Sequence, residues 1–207
     1  RKSDWLRVQY FFGCFDKKIA LDLSKYAAMA LTTAACVPVA QILIRNHLIN
    51  EFGIEFAGYW EAMWRLSSAY LLLVTTTLGV YYLPRLSELV GYQAIVKEVV
   101  EGYKFILPVA VVCCLVVYYL RDFVIHVLFS DQFLPMRDLF AFQLIGDVMK
   151  IGSWILAYVM LGKAMYRLYI VTEILFALSL YCFVLLFTRW HGFEGVVEGY
   201  AFNYFLY

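Results

Sequence analysis

The stretch GYWEAMWRLSSAYLLLVTTTLGVYYLP, residues 58–84, decides the fold. Its second half is a nearly unbroken apolar run. Its first half places Glu61 and Arg65 four residues apart, so on a helix they share one face. A continuous apolar segment of this length reads as a membrane helix. Two charges within such a helix cannot face lipid, so they must face protein or water.

The rest of the chain agrees. Of its 207 residues, 64% are hydrophobic and only 16% charged, with a mean hydropathy of +0.74. Soluble domains are about 45–50% apolar and about 25% charged. A chain of this size has no interior large enough to hide that much apolar surface, so lipid must be the solvent for most of it. Five apolar runs are long enough to span, at residues 25–45, 57–84, 103–121, 138–161 and 166–188. A sixth, 195–207, reads as truncated. The predicted fold is therefore all-α, a polytopic transmembrane bundle of about six spans. Residues 1–24 mix Trp5, Phe11, Phe12 and Phe15 with Lys and Arg, as an interfacial helix or linker would. The chain opens on Arg1 and closes inside an apolar run, so both ends read as cut.

Positive charge gives the orientation, because cytoplasmic loops collect Lys and Arg. With residues 1–25 on one side, that side holds Arg1, Lys2, Arg7, Lys17, Lys18, Lys25, Arg85, Lys97, Lys104, Lys163 and Arg167. The other side holds only Arg45, Arg121, Arg137 and Arg189. The N-terminal side is the cytoplasmic one, and merging two spans would blur this bias.

Charge within the spans is costly, about 2.5–3.5 kcal/mol per group at a helix centre. The second span carries Glu61 and Arg65, continued by Ser68, Thr75, Thr76 and Gly79. The fourth carries Gln143, Asp147 and Lys150, the fifth Glu173, and the sixth Glu198 and Asn203. Such polar stripes imply a hydrated cavity between the helices. The alternative is that each pair neutralises itself and holds helices together. Glu198, near a helix start, also reads as an interfacial charge.

Other chemistry is not visible. There is no phosphate-binding GxxxxGK[ST], no HExxH and no Cys/His metal spacing. Cys14, Cys36, Cys113, Cys114 and Cys182 form no CxxC pair and read as small core residues. His47, His126 and His191 fall on the side opposite the N-terminus and read as solvated. Pro38 and Pro108 are candidate kinks, Pro84 a helix end and Pro135 a loop. A net charge of +1 gives no reason to expect nucleic acid.

Four blocks carry a family resemblance: AGYWEAMWRLSSAYLLLVTTTLGVYYLPRLSEL (57–89), YKFILPVAV (103–111), LRDFVIHVLFSDQF (120–133) and MRDLFAFQLIGDVMKIGSWILAYVMLGKA (136–164). In this order they resemble the Wzx-type lipid-linked oligosaccharide flippases, which serve enterobacterial common antigen and O-antigen assembly. Those belong to the multidrug/oligosaccharidyl-lipid/polysaccharide exporter superfamily. The resemblance covers the chain from about residue 25. It implies two six-helix bundles, of which residues 25–207 would be the C-terminal one and 1–24 the cytoplasmic linker, with the N-terminal bundle missing.

The implied function is translocation of an undecaprenyl-pyrophosphate-linked oligosaccharide from the cytoplasmic to the periplasmic leaflet of the bacterial inner membrane by alternating access. The chain is then a transporter and not an enzyme, with no catalytic residue, cofactor or metal. Arg65 and Lys150 become candidates to contact the pyrophosphate, Arg as a bidentate fork and Lys as a point charge. Glu61 and Asp147 would hold those cations when no cargo is present, and could exchange a proton or Na⁺ during the cycle. Glu173 completes the candidate cavity set. An acidic residue often stands in relatives where this chain has Ser68, which leaves Arg65 without an i+3 partner unless Glu61 substitutes. Membrane lipids and the polysaccharide polymerase and chain-length machinery are the implied partners. A small-molecule or cation antiporter on the same fold, a membrane-embedded glycan-modifying enzyme and a membrane scaffold are the alternatives. The intramembrane cations speak against the first, the lack of a catalytic motif against the second, and the buried charges against the third.

Overall fold

A computed structural model describes residues 16–207, and within them no strand is found. The reading of residues 1–15 as linker lies outside the described residues. The first helix, α1 (Lys17–Phe52), is 36 residues long. It begins earlier than the apolar run because Asp16 caps it, accepting from the backbone N–H of Lys18 at 2.8 Å and of Ile19 at 3.4 Å. Residues 17–24 are therefore helical and continuous with the first span. Helix α1 ends at Gly53, whose φ of 102° is available to glycine at little cost. At 1.5 Å per residue α1 is about 54 Å long, more than the hydrocarbon core requires, so it tilts or projects from it.

The opening stretch forms α2 (Ile54–Thr77), a π-helical turn (Leu78–Tyr82) and α3 (Leu83–Glu88). The chain does not stop at Pro84. The π turn restarts the hydrogen-bond register, and Pro84 then sits in the first turn of α3, where no backbone N–H is needed. Helix α4 (Tyr92–Tyr119) starts eleven residues before the apolar run at 103. Charged residues interrupt hydropathy there but not the helix. Its polar first half is tied down by Arg85–Glu98 at 2.7 Å and Lys97–Glu101 at 3.9 Å. Helix α5 (Arg121–Leu128) and a 3₁₀ segment (Asp131–Leu139) then lead into α6 (Phe140–Gly162). Helix α7 (Tyr166–His191) follows, and after a short 3₁₀ turn α8 (Gly195–Leu206) runs back along it.

Among the described residues five helical segments are long and apolar enough to cross a membrane, the last of them, Tyr166–Leu206, including the twelve-residue return of α8. The outward surface is apolar: Phe105, Leu73 and Val109 are exposed, as lipid-facing residues are. Cys113 and Cys182 also lie on that surface and Cys36 is half-buried, so only Cys114 of the described cysteines is a buried core residue. A thiol is apolar enough for either place.

Helix α8 is the wedge that organises the bundle, packing on both α6 and α7. Three glycines let it approach. A Cβ on Gly195 would lie 2.3 Å from the Phe187 carbonyl, and one on Gly199 would lie 2.9 Å from that of Phe183. A Cβ on Gly146 of α6 would lie 2.5 Å from the Tyr200 ring. Small residues at helix contacts are how membrane helices gain van der Waals contact without a hydrophobic driving force. Polar bonds add to it. Asn203 is buried, accepts from the Ser179 hydroxyl at 2.7 Å and donates to the Phe176 carbonyl at 3.4 Å.

Candidate functional site

Helix α6 carries Gln143, Asp147, Lys150 and Trp154 at spacings of four, three and four, so all four lie on one face. That face looks toward α2 and α8. Asp147 is fully buried, and its carboxylate accepts from four side chains. Ser67 Oγ donates at 2.6 Å, Tyr200 OH at 2.6 Å, Gln143 Nε2 at 3.4 Å, and Tyr70 OH donates as well. These donors come from α2, α6 and α8. A buried charge needs such saturation, because each unmet hydrogen bond costs about 1–3 kcal/mol or more.

Lys150 lies one turn on from Asp147, yet the expected Asp147–Lys150 ion pair does not form. Among the described residues no carboxylate oxygen lies within 4 Å of Lys150 Nζ. The oxygens of Asp147 are taken by hydroxyl and amide donors. The ammonium instead stands among four aromatic rings, with centroids at 4.6 Å (Trp64), 5.2 Å (Trp154), 5.6 Å (Tyr204) and 5.7 Å (Tyr200). The residue is 8% exposed and borders a cavity of about 320 Å³. Ten residues into α6, it stands about 15 Å along that helix, near mid-depth.

The cavity lies between α1, α2, α6, α7 and α8. Thr33 and Cys36 line it from α1, Trp154 from α6, Glu173 from α7 and Tyr204 from α8. Lys150 and Glu173 thus share one cavity without pairing. Its volume is at the small end of the range for ligand sites, about 300–1,000 Å³. Four cation–π contacts supply about 0.5–2 kcal/mol each. Desolvating an ammonium costs several kcal/mol, so the two effects roughly balance. The four rings hold the Lys150 side chain at the edge of the cavity.

Glu61 and Arg65 do pair, at 3.0 Å, as their spacing predicts. Arg45 of α1 joins them from the other side at 2.5 Å. This triad does not line the cavity: the Arg65 side chain is 76% exposed. Its α2 members lie about 12 Å (Glu61) and about 18 Å (Arg65) along that helix from the end at Gly53, on an outer face of the described bundle. The polar stripe of α2 also differs from the expectation. The buried serine is Ser67, and Ser68 is exposed. Helical phase turns Ser67 toward α6, one turn from Trp64, and Ser68 away from it.

Arg45, Trp64, Ser67, Tyr70, Trp154, Tyr200 and Tyr204 were not legible as site residues. Their only signal was aromatic and hydroxyl side chains spaced three or four residues apart on helices that also carry buried charge. The histidines meet separate partners. His47 shares a hydrogen bond with Thr188 at 2.9 Å, His126 approaches Asp131 at 3.3 Å, and His191 pairs with Glu198.

Over its whole length the chain is 37% identical to the Lipid III flippase of Escherichia coli (strain K12), and equally to that of Shigella flexneri. The chain is a relative of the Lipid III flippases. It spans about half the length of these curated relatives. No family model and no solved structure matches it. The Wzx-type resemblance carried by the four sequence blocks agrees with this similarity, as does a multi-pass inner-membrane placement. The relatives are named for transport and not for catalysis, in line with a chain read as a transporter.

Proposed function

We propose that this chain is the C-terminal half of a flippase that moves an undecaprenyl-pyrophosphate-linked oligosaccharide across the inner membrane by alternating access. The carrying observation is Lys150, a near-buried cation at mid-depth with an aromatic surround, no carboxylate partner among the described residues and a cavity beside it. A diphosphate cannot enter hydrocarbon without compensation for its lost hydration. Lys150 offers that compensation, and the surrounding rings hold the ammonium in place between cargoes. Glu173 and the Trp154 and Tyr204 rings offer a carboxylate acceptor and flat apolar faces suited to sugar hydroxyls and sugar C–H faces.

The Arg45–Glu61–Arg65 triad is the second charged element in this reading. It lies on an outer face where the other half of the protein can meet it, and carries the cargo or the contact between halves. Proton or Na⁺ exchange at Glu61 would couple the cycle, and polymerase and chain-length proteins would receive the product. A cation antiporter is disfavoured because a fixed ammonium occupies the aromatic site a cationic substrate would need.

Surface glycan is the readout. Cells lacking their own flippase receive the full-length protein with Lys150→Ala, Lys150→Arg or Arg65→Ala, with membrane levels checked in parallel. Loss of glycan with Lys150→Ala at normal protein level is expected, with partial retention by Lys150→Arg. Normal glycan with Lys150→Ala would overturn the assignment of Lys150 to the transport path.

A further inference from the structure

The fully buried Asp147 neither pairs with Lys150 nor borders the cavity, although it costs the bundle a desolvated charge. Its partners suggest a purpose. Tyr200 gives its hydroxyl to Asp147 and its ring to Lys150. Tyr204, one turn along α8, supplies a second ring. Ser67 binds Asp147 from α2, and Trp64, one turn earlier on the same helix, supplies a third. Trp64 also meets Tyr200 edge to face at 5.8 Å, closing the ring of contacts. Only Trp154 is held by α6 itself.

We propose that Asp147 is a positioning residue. It draws Ser67 of α2 and Tyr200 of α8 onto α6, and so assembles the aromatic cage that keeps Lys150 available to an anionic headgroup. The hydroxyl donors serve two ends. They tie three helices together, and they occupy the carboxylate so that it does not capture the ammonium one turn away. A free Asp147 would form an i,i+3 pair with Lys150 and withdraw the cation from the cavity. The inference rests on Lys150 being the anion contact, and its test separates the two.

The full-length protein is prepared with ¹³C-labelled lysine. The Lys150 ε-methylene signal is assigned by its loss in Lys150→Arg. Rings facing that group should place its protons upfield of the other lysines. Tyr200→Phe keeps the ring and removes only the hydroxyl, Ser67→Ala does the same on α2, and Asp147→Asn alters the acceptor. In protein that remains folded, each change should move the Lys150 signal toward the ordinary lysine position. Asp147→Asn and Tyr200→Phe should each lower oligosaccharide translocation by about tenfold, one lost charge-assisted contact. Together they should cost no more than the larger single effect, because they cut the same chain of contacts.

An unmoved Lys150 signal in all three variants would overturn the positioning role, as would additive losses in the double variant. If Lys150→Ala transports normally, the anion-contact reading fails. If Lys150→Ala is inactive while the cage signal ignores Asp147, only the positioning role fails.

Discussion

Replacing Lys150 by Met separates a functional cation from a structural one. Methionine keeps an unbranched chain in the cage, so packing is nearly preserved. The structure sets two opposing terms. The four ring contacts, at 4.6 to 5.7 Å, are worth about 0.5–2 kcal/mol each in a desolvated setting. Removing the ammonium relieves a desolvation cost of several kcal/mol. No ion pair within 4 Å among the described residues is broken, so none of their carboxylates is orphaned. The expected net change in stability is within about 1–2 kcal/mol of zero. Transport should fall further, because a charge-assisted hydrogen bond to the headgroup is worth about 1.5–3 kcal/mol, or about 10- to 150-fold in rate. Thermal unfolding of the detergent-purified full-length protein reads the first quantity. Translocation of a labelled lipid-linked oligosaccharide in proteoliposomes reads the second. A large drop in melting temperature with transport in proportion to folded protein would refute the reasoning, since Lys150 would then be holding the bundle together.

Gly199→Ala should destabilise the bundle by about 1–3 kcal/mol, because its Cβ would sit 2.9 Å from the Phe183 carbonyl and α8 must shift outward. Gly195→Ala should be at least as costly; thermal unfolding compares both with Gly58→Ala, whose Cβ would meet nothing within 4 Å. Arg65→Ala should change stability by less than about 1 kcal/mol, because its pair with Glu61 is largely solvent- or headgroup-facing. A loss of several kcal/mol in unfolding would show that the triad is structural. Ser179→Ala removes one bond to Asn203 and should cost about 0.6 kcal/mol, typical of polar contacts between membrane helices, measured the same way.

Much of the fold was legible in the chain, because membrane helices obey a local rule. Lipid forces each spanning segment to satisfy its own backbone, so length and hydropathy suffice to find it. The runs at 138–161 and 166–188 match α6 and α7 within a few residues. Where helix and apolar run part company, as at residues 17–24 of α1 and 92–102 of α4, the helix continues beyond hydrocarbon under the control of caps and ion pairs. The Glu61–Arg65 pair was legible for the same reason, since i,i+4 contacts lie within one element. The Asp147–Lys150 pair was misread by that rule, because partners on two other helices took the carboxylate.

By itself, then, the sequence determined an all-α membrane bundle, the placing of its spans, the presence of charges that lipid would reject, and the kinship with Wzx-type flippases. Tertiary structure alone decided what those charges touch. Whether a buried carboxylate meets an ammonium one turn away or three hydroxyls from neighbouring helices depends on helix rotation and approach. Those are set by Gly146, Gly195 and Gly199 admitting α8. Close packing between elements far apart in the chain leaves no periodic mark on any one of them, and so the cage around Lys150 becomes visible only when α2, α6 and α8 are together.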